Sequence, residues 1–81
     1  MDAQGGGAAL ASGLGMSDLS PYELWVKYLA LSGSHSLREL VNYLNGLSDW
    51  SAHEHDVAAQ ALNEYFTARG MDHPVAYAEE L

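Results

Sequence analysis

The chain has 81 residues and a formal net charge of −8, with 3 basic residues against 11 acidic ones and no cysteine. This length indicates one domain with a small core and disfavours an enzyme with an enclosed cleft. The lack of cysteine excludes disulfides, thiol nucleophiles and iron–sulfur clusters. The acidic excess disfavours nucleic-acid backbones, and no apolar run reaches the roughly 18 residues that span a bilayer. We therefore expect a cytoplasmic protein that does not span a membrane.

The N-terminal segment is rich in glycine. Residues 2–15 hold five of the eight glycines, and stretches of this kind behave as flexible coil. The segment also lacks the positive and apolar regions of a secretory signal. We expect residues 1–16 to be a disordered extension or a tag, with Met16 as a natural start, and residues 17–81 to form a single helical domain.

Three Ser-x-x-Glu boxes, each followed by an apolar run of helical period and then a glycine, predict three helices. In such a box the Ser hydroxyl accepts from an otherwise unpaired amide, and the Glu carboxylate reaches back to the amide of the Ser. A glycine then ends the helix in the left-handed conformation. The boxes begin at Ser20, Ser36 and Ser51, and the closing glycines are Gly33, Gly46 and Gly70. The predicted fold is an all-α three-helix bundle with helices near 20–32, 36–45 and 51–69.

The pattern of apolar residues predicts which side of each helix faces the core. On the third predicted helix, polar residues including Gln60 and Asn63 fall on the side away from the apolar stripe. After Gly70 we expect a loosely packed tail or a short terminal helix. The predicted core comprises Leu24, Tyr28, Leu31, Leu37, Leu40, Val41, Leu44, Val57, Ala61, Leu62, Tyr65 and Phe66.

The first predicted helix is apolar over about 220° of its circumference, more than a three-helix domain easily buries. One stripe contains Leu24, Tyr28 and Leu31, and the second lies almost opposite. Exposed apolar patches with aromatic residues mark interaction surfaces. The predicted partner-binding residues are Tyr22, Trp25, Val26 and Leu29, with Trp50 from the loop before the third helix. The alternative is that the C-terminal segment covers the second stripe through Val75, Tyr77 and Leu81.

The histidines do not form a recognisable metal motif. His53 and His55 lie two apart, so on a helix they point about 200° away from each other, whereas a helical chelate needs the spacing i, i+4. His35 and His73 add no motif, although a surface whose charge depends on pH is possible because histidine titrates near neutrality. We expect no metal, no cofactor and no catalytic residue, since no nucleophile or phosphate-binding motif occurs either.

The sequence therefore predicts a small acidic protein-interaction module, non-catalytic and regulatory, that binds itself as a homodimer or binds another protein. The alternative is a DNA-binding helix-turn-helix, or a transcription-associated regulator, in which Gln60 and Asn63 of the third helix read adenine. Three basic residues are too few for the basic stripe usual in such proteins.

Overall fold

The computed structural model describes residues 5–72 and 74–81, and in that part of the chain the prediction of a small all-α bundle is confirmed. These residues form four α-helices, where the sequence predicted three, followed by a 3₁₀ turn at Ala78–Glu80. The helices are α1 (Gly6–Met16), α2 (Pro21–Ala30), α3 (Leu37–Leu44) and α4 (Ala52–Thr67). The helices predicted near 20–32, 36–45 and 51–69 correspond to α2, α3 and α4.

The three predicted N-caps form, but the third uses its glutamate differently. Ser20 and Ser36 each accept from the amide of the Glu three residues later, and that Glu accepts from the amide of the Ser, so α2 and α3 begin with complete capping boxes. Ser51 Oγ accepts from the Glu54 amide at 3.2 Å. The Glu54 carboxylate instead accepts from Tyr28 and Ser34, and so joins the start of α4 to α2 and to the loop that follows α2.

The glycine prediction is correct for two helix ends and wrong for the third. Gly46 and Gly70 have φ of 75° and 76°, as expected after α3 and α4. After α2 the left-handed residue is Ser32, with φ of 76°. Gly33 is required for another reason, because a Cβ there would lie 2.2 Å from Cζ of Tyr28. The ring of Tyr28 occupies the space that any side chain at position 33 would need.

The helices form a ring in which sequence neighbours are not always spatial neighbours. α1 packs against α3 and α4, and α2 packs against the same two helices from the other side. α1 and α2 therefore occupy opposite corners of the bundle, as do α3 and α4. The longest helix, α4, also contacts the 3₁₀ turn.

The expectation that residues 1–16 are disordered is wrong for residues 6–16, which form α1; residues 1–4 lie outside the described residues. Glycine allows this helix to approach its neighbours closely. A Cβ on Gly7 would lie 1.8 Å from the backbone oxygen of Tyr43, and one on Gly6 would lie 2.1 Å from the Tyr43 hydroxyl. Leu10, one turn further along, is completely buried. The glycines therefore form a packing face, where composition alone indicated a flexible linker.

The predicted core is largely confirmed. Leu24, Tyr28, Leu40, Leu62 and Phe66 are buried, as are Ala61 and Tyr65. The remaining predicted members are partly buried. Leu31, Leu44 and Val57 pack against the core cluster, and the other two are Leu37 and Val41. The core also contains six residues outside the predicted list: Leu10, Tyr43, Trp50, Ala58, Ala59 and Val75.

Asn63 was predicted to face solvent, and this is wrong: it is 2% exposed. Its Nδ2 donates to the Val75 carbonyl, and its Oδ1 accepts from the Val75 amide, both at 3.0 Å. This side chain thus pairs with both backbone groups of one residue, and so satisfies polar groups that would be costly to bury unpaired. It holds the segment after residue 73 against α4.

His55 makes a second buried attachment to the same segment. Its Nε2 lies 2.8 Å from the Ala76 carbonyl oxygen, which only accepts, so Nε2 carries a proton. In the neutral ring, Nδ1 then accepts from the Tyr43 hydroxyl at 2.9 Å. Since His55 is completely buried, both ring nitrogens are satisfied inside the protein. The C-terminal segment is anchored to α4. Of the two expectations, a loosely packed tail or a short terminal helix, the second is closer, since a 3₁₀ turn forms at Ala78–Glu80.

Substituting Gly7 tests the packing of α1. We expect Gly7→Ala to lower the free energy of unfolding by about 1–3 kcal/mol, because the new methyl group collides with backbone of α3 that cannot move aside easily. Urea unfolding followed by circular dichroism measures this change.

Gly15→Ala is the matched control within the same helix. Nothing lies within 4 Å of a Cβ at position 15, so this variant should gain up to about 1 kcal/mol from helix propensity alone. Equal effects of the two variants would show that α1 does not approach α3 closely.

Candidate interaction surface

Helix α2 buries one of its two apolar stripes and exposes the other. Leu24 and Tyr28 are completely buried. Tyr22, Val26 and Leu29 follow one another at helical spacing on the opposite side and are 57%, 45% and 39% exposed. We call these three residues the outer face of α2. They are three of the four α2 residues that the sequence predicted as partner-binding.

The hydroxyl of Tyr28 fixes how α2 is rotated about its axis. It accepts from the amides of Ser34 and His35 at 2.9 and 2.8 Å and donates to the Glu54 carboxylate. Burial, together with the hydrogen bond to Glu54, raises the pKa of Tyr28 to about 12. Burial alone would raise the pKa of Glu54, but the hydrogen bonds from Tyr28 and Ser34 outweigh it and lower that pKa. The charged carboxylate and neutral phenol are therefore the favoured pair.

Trp25, the fourth predicted residue of α2, lies at the edge of the outer face. Its side chain is partly buried, and its indole N–H donates to the His35 carbonyl at 3.0 Å. Its ring centroid is 6.0 Å from that of Tyr22. Trp25 therefore links the outer face to the α2–α3 loop and supports Tyr22 from one side.

Trp50 does not belong to this surface, and its predicted role as a partner-binding residue is withdrawn. It is only 3% exposed. Its ring stacks on Tyr43 at 4.6 Å and on His35 at 4.2 Å, with Tyr28 at 5.3 Å. The loop before α4 folds inward because this indole finds aromatic partners on two helices, so Trp50 is part of the core.

The C-terminal segment does not cover the outer face, contrary to the alternative considered for the sequence. Val75 is buried beside Gly13 and Leu62. The Tyr77 hydroxyl donates to Gln60 at 2.7 Å, and the Ala78 amide donates to Asp56 at 2.7 Å. Leu81 remains 48% exposed. The segment follows α4 because Asn63, His55 and Asp56 bind its backbone.

The charges near the outer face are balanced. Glu23 and Lys27 are both exposed and lie one turn apart along one edge of it. The Ser20 amide and then the Ser20 hydroxyl lower the pKa of Glu23 through hydrogen bonds, so its carboxylate is charged at neutral pH. Lys27 also lines a groove of about 300 Å³ between α2 and the end of α4, together with Glu64 and Arg69. The guanidinium of Arg69 lies 3.7 Å from the centre of the Tyr65 ring. Two of the three basic residues of the chain are thus close to α2.

A second groove, of about 680 Å³, has the opposite character. It lies between α4 and the C-terminal segment and includes a histidine and three carboxylates but no Lys or Arg. Its lining residues are Leu31, His53, Asp56, Val57, Gln60, Tyr77, Glu79 and Glu80. This groove therefore presents three carboxylates, with no basic side chain among its lining residues, between α4 and the C-terminal segment.

The other candidate sites do not assemble into a binding centre. Within residues 5–72 and 74–81, no three His, Asp or Glu side chains come together as a metal ligand set, and His73 lies outside the described residues. Of the two α4 residues considered for reading adenine, Asn63 is buried against Val75, and Gln60 is bound to Glu64 and Tyr77. This arrangement gives no support to a DNA-reading face on α4.

Comparison with protein-family models, with curated proteins and with solved structures finds no match for the chain. Among the described residues, no helix combines the length and the apolar character needed to cross a bilayer. The outer face of α2 therefore has to be interpreted from its own geometry.

Replacing the carboxylate of Glu54 tests the hydrogen bonds that orient α2. We expect Glu54→Gln to lower the free energy of unfolding by about 1 kcal/mol at neutral pH, because an amide accepts more weakly from Tyr28 and Ser34. The pKa of Glu54 is lower in the folded state than its ordinary value. The carboxylate therefore stabilises the fold at a pH above the ordinary pKa, and this stabilisation is lost as the pH falls through the lowered pKa. Urea unfolding at about pH 7 and about pH 2 should show the difference shrinking in acid.

Glu79→Gln is the control, because Glu79 is exposed at the C-terminal turn and surface substitutions usually change stability by less than about 0.5 kcal/mol. A Glu54→Gln variant with the same stability as this control at neutral pH would contradict the assigned role.

The buried tyrosines predict a late alkaline titration. Burial raises the pKa of both Tyr28 and Tyr43 to about 12. The neutral phenols are favoured by folding, so their contribution to stability is complete below pH 10 and is lost as pH rises towards 12. Near-ultraviolet absorbance should show two of the five tyrosines ionising late, together with unfolding. Ionisation of all five in one early step, with the fold intact, would contradict this.

Proposed function

We propose that this chain is a non-catalytic, regulatory protein-interaction module of the cytoplasm, which binds a second copy or another protein through the outer face of α2. The observation that carries the proposal is the exposure of Tyr22, Val26 and Leu29 on a helix whose opposite side is buried through Leu24 and Tyr28. A contiguous exposed apolar patch is characteristic of a binding surface.

The composition of the surface favours a protein ligand. Tyr and Trp are common anchors of protein interfaces because they combine a large apolar area with a polar tip, and Tyr22 and Trp25 provide both here. The rotation of α2 is fixed by Tyr28, so the face is ordered before binding, which lowers the entropy cost of association. The acidic surface elsewhere would repel nucleic acid and steer basic partners.

Site-specific photo-crosslinking tests this proposal. A benzoyl-phenylalanine is placed at Tyr22 or at Leu29, with Gln60 on the exposed side of α4 as the control position. Each labelled chain is irradiated in an extract of cells that naturally contain it. We expect discrete protein adducts from positions 22 and 29 and none of the same adducts from position 60.

Competition shows whether the outer face itself is responsible. Excess unlabelled wild-type chain should abolish the adducts, whereas a chain with Val26→Glu, checked for folding by circular dichroism, should not compete. A lack of protein adducts at 22 and 29, or equal competition by the two chains, would overturn the proposal.

A further inference from the structure

We propose that the ligand of the outer face is the same face of a second copy, with the two α2 helices antiparallel and related by a two-fold axis near Val26. This inference rests on the proposed function and specifies the partner of that surface. Isologous two-fold pairs are the commonest form of oligomer, but the argument here comes from the order of residues along α2.

The apolar residues of α2 are arranged to match a reversed copy of themselves. At about 100° per residue, Val26 lies near the middle of the exposed arc, with Tyr22 about one turn before it and Leu29 about one turn after it. A two-fold axis near Val26 places Tyr22 of each copy against Leu29 of the other. Each ring then meets an aliphatic side chain, and the two Val26 side chains meet at the centre.

The charges select the antiparallel arrangement. Glu23 and Lys27 lie on one edge of the outer face, and in an antiparallel pair that edge faces the same edge of the second copy. Glu23 of each copy then comes next to Lys27 of the other, and two ion pairs of opposite charge flank the apolar centre. In a parallel pair this edge would face the Trp25 edge instead, and neither charge would find a partner.

The distribution of charge over the molecule allows such a contact in spite of a net charge of −8 on each copy. The groove beside the C-terminal segment is lined by three carboxylates and no Lys or Arg, whereas the groove beside α2 is lined by Lys27, Arg69 and a single carboxylate, Glu64. Salt at 0.15 M screens the repulsion between the two negatively charged copies beyond about 8 Å. Association should therefore strengthen when the salt concentration is raised to that level from low ionic strength.

The contact is small, so the dimer should be weak. α2 has 10 residues and is about 15 Å long, which is too short to bury the roughly 800 Å² per partner of a standard interface. We expect a monomer–dimer equilibrium that depends on concentration, as suits a contact that forms and breaks during regulation.

Engineered cysteines test the register directly, because the chain contains none of its own. Single variants Val26→Cys, Tyr22→Cys and Leu29→Cys are oxidised with copper phenanthroline, with Ser48→Cys in an exposed loop as the control for random collision. Val26→Cys should form disulfide dimers about tenfold faster than the control, since proximity raises the effective thiol concentration. Tyr22→Cys and Leu29→Cys should react slowly alone and quickly when mixed with each other.

Sedimentation of the cysteine-free chain provides a measurement that no substitution can disturb. Between about 10 μM and about 1 mM, the range in which small interfaces associate, the average mass should rise above 8.7 kDa. Folded Val26→Glu should remain monomeric over the same range.

The outcomes separate this inference from the proposed function. Fast self-crosslinking of Tyr22→Cys or Leu29→Cys would overturn the antiparallel register while leaving the outer face as a binding surface. A strict monomer at the highest concentration would overturn the dimer, and the photo-crosslinking adducts would then show whether another protein binds there. Mixed crosslinking at 22 and 29, together with a rising mass, would establish the antiparallel pair.

Discussion

The hydrogen bonds of the Tyr28 hydroxyl are the constraint on which the candidate surface depends. This oxygen accepts from two amides of the α2–α3 loop and donates to Glu54 at the start of α4. Rolling α2 about its axis would break a charge-assisted bond and would expose an aromatic ring that now stacks on Trp50. Because the rotation of α2 decides which stripe faces water, this hydroxyl, together with the buried Leu24 side chain, keeps Tyr22, Val26 and Leu29 outside.

The sequence was sufficient to predict α2, α3 and α4 because the patterns that mark these helices are local. A Ser-x-x-Glu box needs only its own four residues, so each N-cap forms where it was predicted. The same pattern does not reveal that Glu54 leaves its box, since Ser20, Ser36 and Ser51 begin identical motifs. Only the proximity of Tyr28 distinguishes the third box, and that proximity exists only in the folded chain. The exposure of the second stripe of α2 was also predictable from the sequence, because this helix is apolar over more of its circumference than its neighbours could cover.

Apart from the left-handed residue after α2, the predictions that failed depend on contacts between separate elements of the fold. Gly7 meets the backbone of Tyr43, Asn63 pairs with Val75, and Trp50 stacks on rings from α2 and α3. A run of glycines is usually interpreted as a flexible segment. Glycines are also needed, however, where a helix packs closely against the backbone of another helix. One signal was present in the sequence: Gly6, Leu10 and Gly13 have the spacing of a helical face, and that face is the buried one.

The two helices at opposite corners of the bundle differ in how they are stabilised, and this difference suits a docking surface on α2. α1 holds four glycines in 11 residues, has no side-chain hydrogen bond at its N-cap and has no acidic residue in its first turn. Its helical structure therefore depends on tertiary packing, and local opening should begin there. α2 has a complete capping box, a proline in its first turn and the Tyr28 hydrogen bonds. Since α3 and α4 lie between these corners, opening of α1 leaves the contacts of α2 with both helices in place. The outer face can stay ordered while the opposite side of the molecule fluctuates.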